Sequence, residues 1–343
     1  MAASAKEWRT IEIAEEIQPT SLFGSKFVGL TLATDLMRQV GDLADITSGQ
    51  LDESMREYHR AADALAPFKR ILDVYTSQWF GSGSQQKAKT ASPALNFLKR
   101  QEAEPLLNAA DEKGLDKALG KLHRDDRRIA ETALQTARQK RFFHWELEFP
   151  KVFYRPRPGT ERVVERLEGA GFDAVIGNPP YDVLASEELG YDVSQELAFF
   201  ESAPVYEPAI RGKKNLYKLF VCRGASVLGK EGAFSFIVPM PLLGDEQAAG
   251  VRRMLLEKTG LAAIEAFPQK DDPHNRVFPE AKLATTIFVT RVQPSKTRIA
   301  VRTHPGRLLT GCYSGLRFAH QLRPPLESHA HGPAGWPYRP DWH

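Results

Sequence analysis

The first part of the chain has the hydrophobic pattern of packed helices. From about residue 7 to residue 141, apolar side chains recur at three- and four-residue spacing, the period of an α-helix with one buried face. A polar stretch of small residues, Gly81 to Ser92, interrupts the pattern and predicts a loop. The charged run from Lys113 to Lys140 mixes both signs, which favours a solvated helix face over a DNA-contacting helix. Residues 1–141 are therefore predicted to form an α-helical block.

The pattern changes after residue 142, where short β-prone runs alternate with amphipathic helices. Helices are predicted over Leu216–Leu228 and Gln247–Glu257, the second with Val251, Met254 and Leu255 facing inward. The predicted strands are Phe172–Ile176, Ala233–Val238, Leu261–Phe267 and Ala284–Val292. This alternation is typical of a mainly parallel sheet with crossover helices, so residues 142–293 are predicted to form half of a doubly wound α/β sheet. Residues 294–343, rich in Pro, Gly and His, are predicted to be an irregular tail or the truncated start of a recognition region.

Composition narrows the class of protein. The 343 residues are 42% hydrophobic and 26% charged, which indicates a soluble chain with a substantial core. Cys222 and Cys312 form no Cys-x-x-Cys pair, so neither a disulfide framework nor a thiolate metal site is expected. The start of the chain has no signal-like apolar core, and no uncharged apolar run approaches the roughly 20 residues of a membrane helix. A cytoplasmic protein without membrane contact is predicted, and its net charge of +3 is compatible with a phosphate backbone without requiring one.

The segment with the clearest chemistry is Asn178-Pro179-Pro180-Tyr181, which directly follows a predicted strand. Open α/β sheets place their ligand crevice at the carboxyl ends of their strands. The side-chain carbonyl of Asn178 is a hydrogen-bond acceptor, and two successive prolines stiffen the loop and direct nearby carbonyls outward. Two rigid acceptors suit a planar amino group with two N–H donors, and Tyr181 offers a flat face on which an extruded base can stack. The alternative of a surface turn or a Pro-rich peptide ligand is disfavoured by the preceding strand.

These four residues resemble motif IV of the amino-group methyltransferases that use S-adenosylmethionine, and the flanking sequence is similar to the adenine-specific DNA group of type IIG restriction-modification enzymes. The resemblance spans about Phe143 to Arg291 and implies a partial Rossmann-like methyltransferase sheet preceded by an α-helical block. It also implies double-stranded DNA as partner and S-adenosylmethionine as methyl donor. The further segments that carry it are Phe143–Phe153, Lys214–Phe220, Gly232–Pro239 and Arg276–Phe288.

The resemblance assigns roles to individual residues. Asn178 and the Pro179 carbonyl would accept from the target amino group, and Tyr181 would stack on the flipped adenine. Phe278, in the segment that resembles motif VIII, would pack on the opposite face of the base, although a Phe beside proline can equally be a core residue. Asn215 and Tyr217 form a possible secondary site, with helix capping and packing as the alternative.

A donor-binding site is not recognisable in the sequence. Such a site needs a Gly-rich turn after a first strand and an acidic residue that ends the next strand. The candidate turn is Phe80-Gly-Ser-Gly83, and its first glycine, Gly81, is separated from Asp73 by the seven residues Val74 to Phe80. In the family the aspartate stands immediately before the turn. The helical block instead resembles the insertion that type IIG enzymes carry ahead of motif IV. The sequence therefore predicts a fragment, inactive by itself, whose partner is a missing N-terminal half or another restriction-modification subunit.

Two alternatives remain open at this stage. Methyltransferases that modify a protein glutamine or ribosomal RNA use similar Asn-Pro-Pro motifs, but they are compact, and the long helical block and the match around Phe278 favour DNA. A non-catalytic DNA-binding remnant is the other alternative. The recognised DNA sequence is not indicated, and no nuclease motif is apparent.

Overall fold

The computed structural model describes residues 32–37, 39–40, 47–80, 93–156, 164–278, 280–291 and 299–304. These residues form a helical block around one apolar cluster and a five-stranded sheet with helices around a second cluster. The predicted α/β class, with a helical block ahead of the sheet, is confirmed. The predicted loop at 81–92 and the tail beyond 304 lie outside the described residues.

The helical block is built on one long helix, α1, Ser48–Ser77. It begins at a capping box in which the Gln50 amide donates to the Thr47 hydroxyl at 3.2 Å and the Thr47 amide donates to the Gln50 side chain at 3.1 Å. The helices that follow are α2 Pro93–Leu98, α3 Glu104–Leu107, α4 Glu112–Lys121, α5 Arg124–Lys140, α6 Trp145–Glu148 and α7 Pro150–Phe153, with a 3-10 turn at Gln101–Ala103. Their apolar faces meet in a core that includes Phe68, Phe97 and Leu106. The predicted charged helix is thus two helices, α4 and α5.

The main sheet contains all four predicted strands. A short antiparallel hairpin precedes it, and the seven strands are β1 Tyr154–Pro156, β2 Val164–Arg166, β3 Phe172–Gly177, β4 Leu228–Pro239, β5 Leu261–Phe267, β6 Thr285–Arg291 and β7 Ala300–Thr303. The main sheet has the order β3-β4-β6-β5-β7. Because β7 pairs with β5, the sheet extends past residue 293, where the sequence placed its end.

The sheet is mainly parallel, as expected, but it contains one reversed strand, β6. β3 and β4 are parallel, as are β5 and β7, but β6 runs antiparallel to both β4 and β5. The reason is the connection between β5 and β6, which contains no crossover helix and therefore returns the chain in the opposite direction. The carboxyl ends of β3, β4, β5 and β7 consequently share one edge of the sheet.

Short helices cover the sheet and shape this edge. They are α8 Ser186–Leu189, α9 Ser194–Ser202, α10 Leu216–Ser226, α11 Pro241–Gly244 and α12 Ala249–Glu257, with 3-10 turns at Pro204–Ala209 and Glu246–Ala248. Val251, Met254 and Leu255 of α12 are buried as their spacing predicts. Among the described residues, no helix combines the length and apolar character that a membrane span requires.

One aromatic side chain of β3 packs on the helical block. Phe172, the first residue of β3, makes edge-to-face contacts with Trp145, Phe149 and Phe153 at ring-centroid distances of 5.8, 5.0 and 5.9 Å. Aromatic pairs of this geometry stabilise by about 0.5–1.5 kcal/mol beyond the area they bury. The strand that leads to the Asn-Pro-Pro-Tyr segment is therefore anchored at its amino end on the helical block.

Candidate functional site

The Asn-Pro-Pro-Tyr loop leaves the sheet at the carboxyl end of β3. Asn178 is exposed, so its side-chain amide is accessible at the shared edge, whereas Pro179 is buried beneath it. Gly177 precedes the loop, and a Cβ atom there would lie 3.0 Å from the Phe236 ring, so the backbone passes close to β4. The prolines and this close passage restrict the loop, which presents the Asn178 side chain to solvent.

Tyr181 fixes the other end of the loop to the sheet. Its hydroxyl donates to the main-chain carbonyl of Ile237 in β4 at 3.1 Å, and its ring is half-buried against the sheet cluster. Burial raises the pKa of Tyr181 to about 12, because desolvation disfavours the phenolate. At neutral pH the hydroxyl is therefore a protonated donor, and the ring is held in one position.

Phe278 lies beside Tyr181 although the two are almost a hundred residues apart in sequence. It belongs to the loop between β5 and β6, and the ring centroids are 6.3 Å apart with an interplanar angle of 66°. A base stacked between two rings would need them to be parallel and about 7 Å apart, at roughly 3.5 Å for each contact. The rings are adjacent but tilted, so one of them must rotate before a base can lie between them.

The two residues of the possible secondary site, Asn215 and Tyr217, lie in different environments. Tyr217 is only 4% exposed and packs in the sheet cluster, and burial raises its pKa to about 12. Asn215 takes the N-cap position of α10 without a side-chain capping bond, and its backbone bridges Val183, two residues after Tyr181. Tyr217 is thus a packing residue, while Asn215 supports the loop through its main chain.

Sequence reasoning missed Lys218, a buried lysine that joins the loop before α10 to the 3-10 turn at Glu246–Ala248. Its side chain is 1% exposed, and its ammonium donates to the carbonyls of Arg211 and Gln247 at 3.2 and 3.3 Å. Just before Lys218 in the chain, the main chain of Lys214 and Leu216 forms hydrogen bonds with residues 182–184. The one available signal was a charge within the apolar run Leu216–Cys222, which becomes a core helix here.

The loop that carries Phe278 also offers a cationic donor. The Nε atom of Arg276 is buried without a hydrogen-bond partner among the described residues. Buried polar atoms in proteins almost always have a partner, so this nitrogen is an exception. Within the described part of the chain, no group of three or more His, Cys, Asp or Glu side chains could hold a metal ion.

Asp73, the acidic residue that precedes the candidate donor turn, does not fit a methyl-donor site in this structure. Asp73 lies in the last third of α1 rather than at the end of a strand, and its carboxylate is paired with Lys69 at 2.7 Å and with His144 at 2.8 Å. Such a carboxylate is not free to hold ribose hydroxyls. The glycines of Phe80-Gly-Ser-Gly83 lie outside the described residues.

Several solved structures are similar to this chain at low sequence identity. They include a DrdV–DNA complex (12% identity, TM-score 0.32, covering 63% of this chain and 21% of that one). A protein assigned as the modification subunit of a type I restriction enzyme from Vibrio vulnificus YJ016 gives 11% identity and a TM-score of 0.31, covering 78% of this chain and 55% of that one. The M protein of the type I enzyme EcoKI gives 11% identity and a TM-score of 0.30, covering 91% and 68%.

This chain thus spans about a fifth of the DrdV chain and about half of the Vibrio protein. A family model shows the relationship at the level of sequence: the model of the Eco57I restriction-modification methylase matches residues 12–272, which include the helical block and the Asn-Pro-Pro-Tyr loop. The chain therefore belongs to the Eco57I restriction-modification methylase family.

Proposed function

We propose that this chain carries the substrate-base half of an adenine-specific DNA methyltransferase of the type IIG kind. The observation that supports this most directly is the meeting of three groups at one sheet edge. They are the exposed Asn178 side chain, the Tyr181 ring held by the Ile237 carbonyl, and the Phe278 ring at 6.3 Å from it. An amino-bearing planar base is the ligand that two acceptors and two aromatic rings suit.

In the proposed complex the chain's own residues bind and orient the base. Asn178 Oδ1 and the Pro179 carbonyl accept the two N–H bonds of the adenine amino group, which draws the nitrogen lone pair out of conjugation with the ring. No general base is required before the nitrogen attacks. Tyr181 and Phe278 hold the flipped base after one ring rotates.

S-adenosylmethionine is the proposed methyl donor, and another polypeptide segment is proposed to bind it. The edge of β3 is suited to receive that segment. β3 forms an edge of the described sheet, and Ile176 is 82% exposed one residue before the end of the strand. An unpaired strand edge offers a row of N–H and C=O groups, and a bare isoleucine adds an apolar contact. A parallel strand added there would stand directly beside the Asn178 loop.

Binding of a single-stranded oligonucleotide that contains 2-aminopurine, a fluorescent adenine analogue, tests the base site in the full chain. Base–aromatic stacking contributes about 1–3 kcal/mol per base. Tyr181→Ala and Phe278→Ala are therefore expected to weaken binding by about 5- to 150-fold each. Tyr191→Ala is the matched control, because Tyr191 is a nearby exposed tyrosine outside the site. Equal losses in all three variants would contradict the proposal.

Transfer of labelled methyl groups to unmodified DNA tests the reaction. The chain is assayed alone and mixed with the product of the neighbouring reading frame, and N6-methyladenine is identified by mass spectrometry. Methylation is expected only in the mixture and is expected to be lost in Asn178→Ala but retained in Asn108→Ala, an exposed asparagine of the helical block. Robust transfer by the chain alone that Asn178→Ala abolishes would refute the proposal of a separate donor segment.

A further inference from the structure

A stacked pair of rings lies at the ends of β5 and β7, at the same sheet edge as the Asn178 loop. The imidazole of His304, the residue after β7, stacks on the ring of Phe267 at a centroid distance of 4.6 Å and an interplanar angle of 9°. Phe267 is the last residue of β5 and belongs to neither apolar cluster. The two rings therefore form a planar surface outside the core of the sheet.

The imidazole of His304 is held in one orientation. Its Nε2 atom lies 2.6 Å from Glu265 Oε2, and because a carboxylate oxygen only accepts, Nε2 is the donor of this bond. The main-chain amide of His304 donates to the Ala266 carbonyl at 2.8 Å, and Phe267 covers one face of the ring. A ligand that binds this ring therefore costs the side chain little further conformational entropy.

The rest of the imidazole is open to solvent. The His304 side chain is 40% exposed, and since one face lies on Phe267 and Nε2 faces Glu265, the exposed part is the second face and the edge with Nδ1. Arg302 Nη1 lies 3.7 Å from Glu265 Oε1, so Arg302, His304 and Glu265 together carry no net negative charge. An open aromatic face without negative charge suits a nucleobase, which stacks on such rings and is joined to a phosphate chain.

The strand register places this ring pair level with the Asn178 loop. One row of paired residues crosses the sheet from β3 to β7, consisting of Gly177, Phe236, Phe288, Ile264 and Val301. Asn178 is one residue past that row and His304 is three residues past it. Because β7 is the fourth strand from β3, the two sites are about 19 Å apart at about 4.8 Å per strand. A stacked DNA strand rises about 3.4 Å per nucleotide, so about six nucleotides or fewer span that distance.

We propose that His304 and Phe267 form a second stacking site, which binds an unpaired base of the DNA strand that carries the target adenine. The inference rests on the proposed function, because it takes DNA as the ligand. The base lies on the open face of His304, within about six nucleotides of the adenine at the Asn178 loop. The bound strand therefore follows the shared edge of the sheet from β3 to β7.

Titration of the full chain with single-stranded oligonucleotides of two lengths tests this site. Both probes carry one 2-aminopurine, with either one or eight nucleotides on each side, and only the longer probe can reach about 19 Å from the Asn178 loop. His304→Ala is expected to weaken binding of the longer probe by about 5- to 150-fold, the loss of one base stack, and to change binding of the shorter probe by less than about twofold. His304→Phe keeps a flat aromatic ring, so it is expected to bind both probes within about threefold of the unmodified chain.

Two control variants separate this site from the base site and from general effects on the fold. His123→Ala, at an exposed histidine of the helical block, is expected to change binding of neither probe, whereas Tyr181→Ala is expected to weaken both. The second site is overturned if His304→Ala leaves the longer probe unaffected, or if it weakens both probes equally, which would indicate a structural role. Equal losses in His304→Phe and His304→Ala would also overturn it, because stacking needs only the ring. A loss in Tyr181→Ala without one in His304→Ala would leave the proposed function standing and remove the second site alone.

Discussion

The hydroxyl and the ring of Tyr181 are expected to do different work, and two substitutions separate them. Tyr181→Phe removes the 3.1 Å bond to the Ile237 carbonyl and keeps the ring. One such bond contributes about 0.5–1.5 kcal/mol, so the free energy of unfolding should fall by about 1 kcal/mol. Tyr181→Ala also removes a half-buried ring that contacts Phe278, and it should lower the free energy of unfolding by about 2–3 kcal/mol.

The expected effects on base binding differ more sharply. Because stacking needs the ring and not the hydroxyl, Tyr181→Phe should bind the 2-aminopurine oligonucleotide within about twofold of the unmodified chain. Tyr181→Ala should lose about 5- to 150-fold, as estimated above from the stacking energy. Urea unfolding gives the first quantity and fluorescence titration the second. If Tyr181→Phe weakened binding as much as Tyr181→Ala, the stacking role of the ring would be refuted.

Other parts of the fold give further predictions. Tyr181 and Tyr217, whose pKa values are raised to about 12, bind protons in the folded state that their unfolded counterparts lose near pH 10. Stability is therefore expected to be unaffected by them below pH 10 and to fall between about pH 10 and 12, and the Tyr→Phe variants should reduce that fall in urea unfolding and remove late-titrating absorbance at 295 nm. Phe172→Ala should lower the free energy of unfolding by about 2–3 kcal/mol, because it removes three aromatic contacts between the halves, while Phe220→Ala at an exposed position should cost less than about 1 kcal/mol. Lys218→Met should lower the free energy of unfolding by about 1–3 kcal/mol, because it removes the ammonium that bonds to the Arg211 and Gln247 carbonyls, and no measurable loss would contradict a stabilising role for Lys218.

Local patterns were sufficient to predict four of the seven described strands, β3 to β6. Strands β3 to β6 lie within a few residues of the predicted runs, except that β4 begins five residues earlier, because β-branched and aromatic residues between turn signals suit a pleated, buried strand. The direction of β6 could not be predicted in the same way. Period-two and period-3.6 patterns specify the type of an element, whereas its orientation depends on how its connection crosses the sheet.

The candidate site shows the same division. Asn178 to Tyr181 could be proposed from sequence because two prolines and a preceding strand give the loop a defined place and stiffness. The bond of Tyr181 to Ile237 and the bond of Lys218 to the Gln247 carbonyl could not be predicted from sequence, because each joins residues of different elements. Asp73 shows agreement between the two: its spacing from the Gly-rich turn disfavours a donor site, and in space its carboxylate bonds to Lys69 and His144.

By itself the sequence determined the class of the fold, the position of the chemical motif at a strand end and the family to which the chain belongs, because these depend on residues close together in the chain. Only the tertiary structure decided that Phe278 meets Tyr181 at a tilt and that β3 is an edge strand of the described sheet with Ile176 exposed. The physical reason is that distances between such side chains depend on packing and on strand register, which the local hydrophobic pattern does not specify.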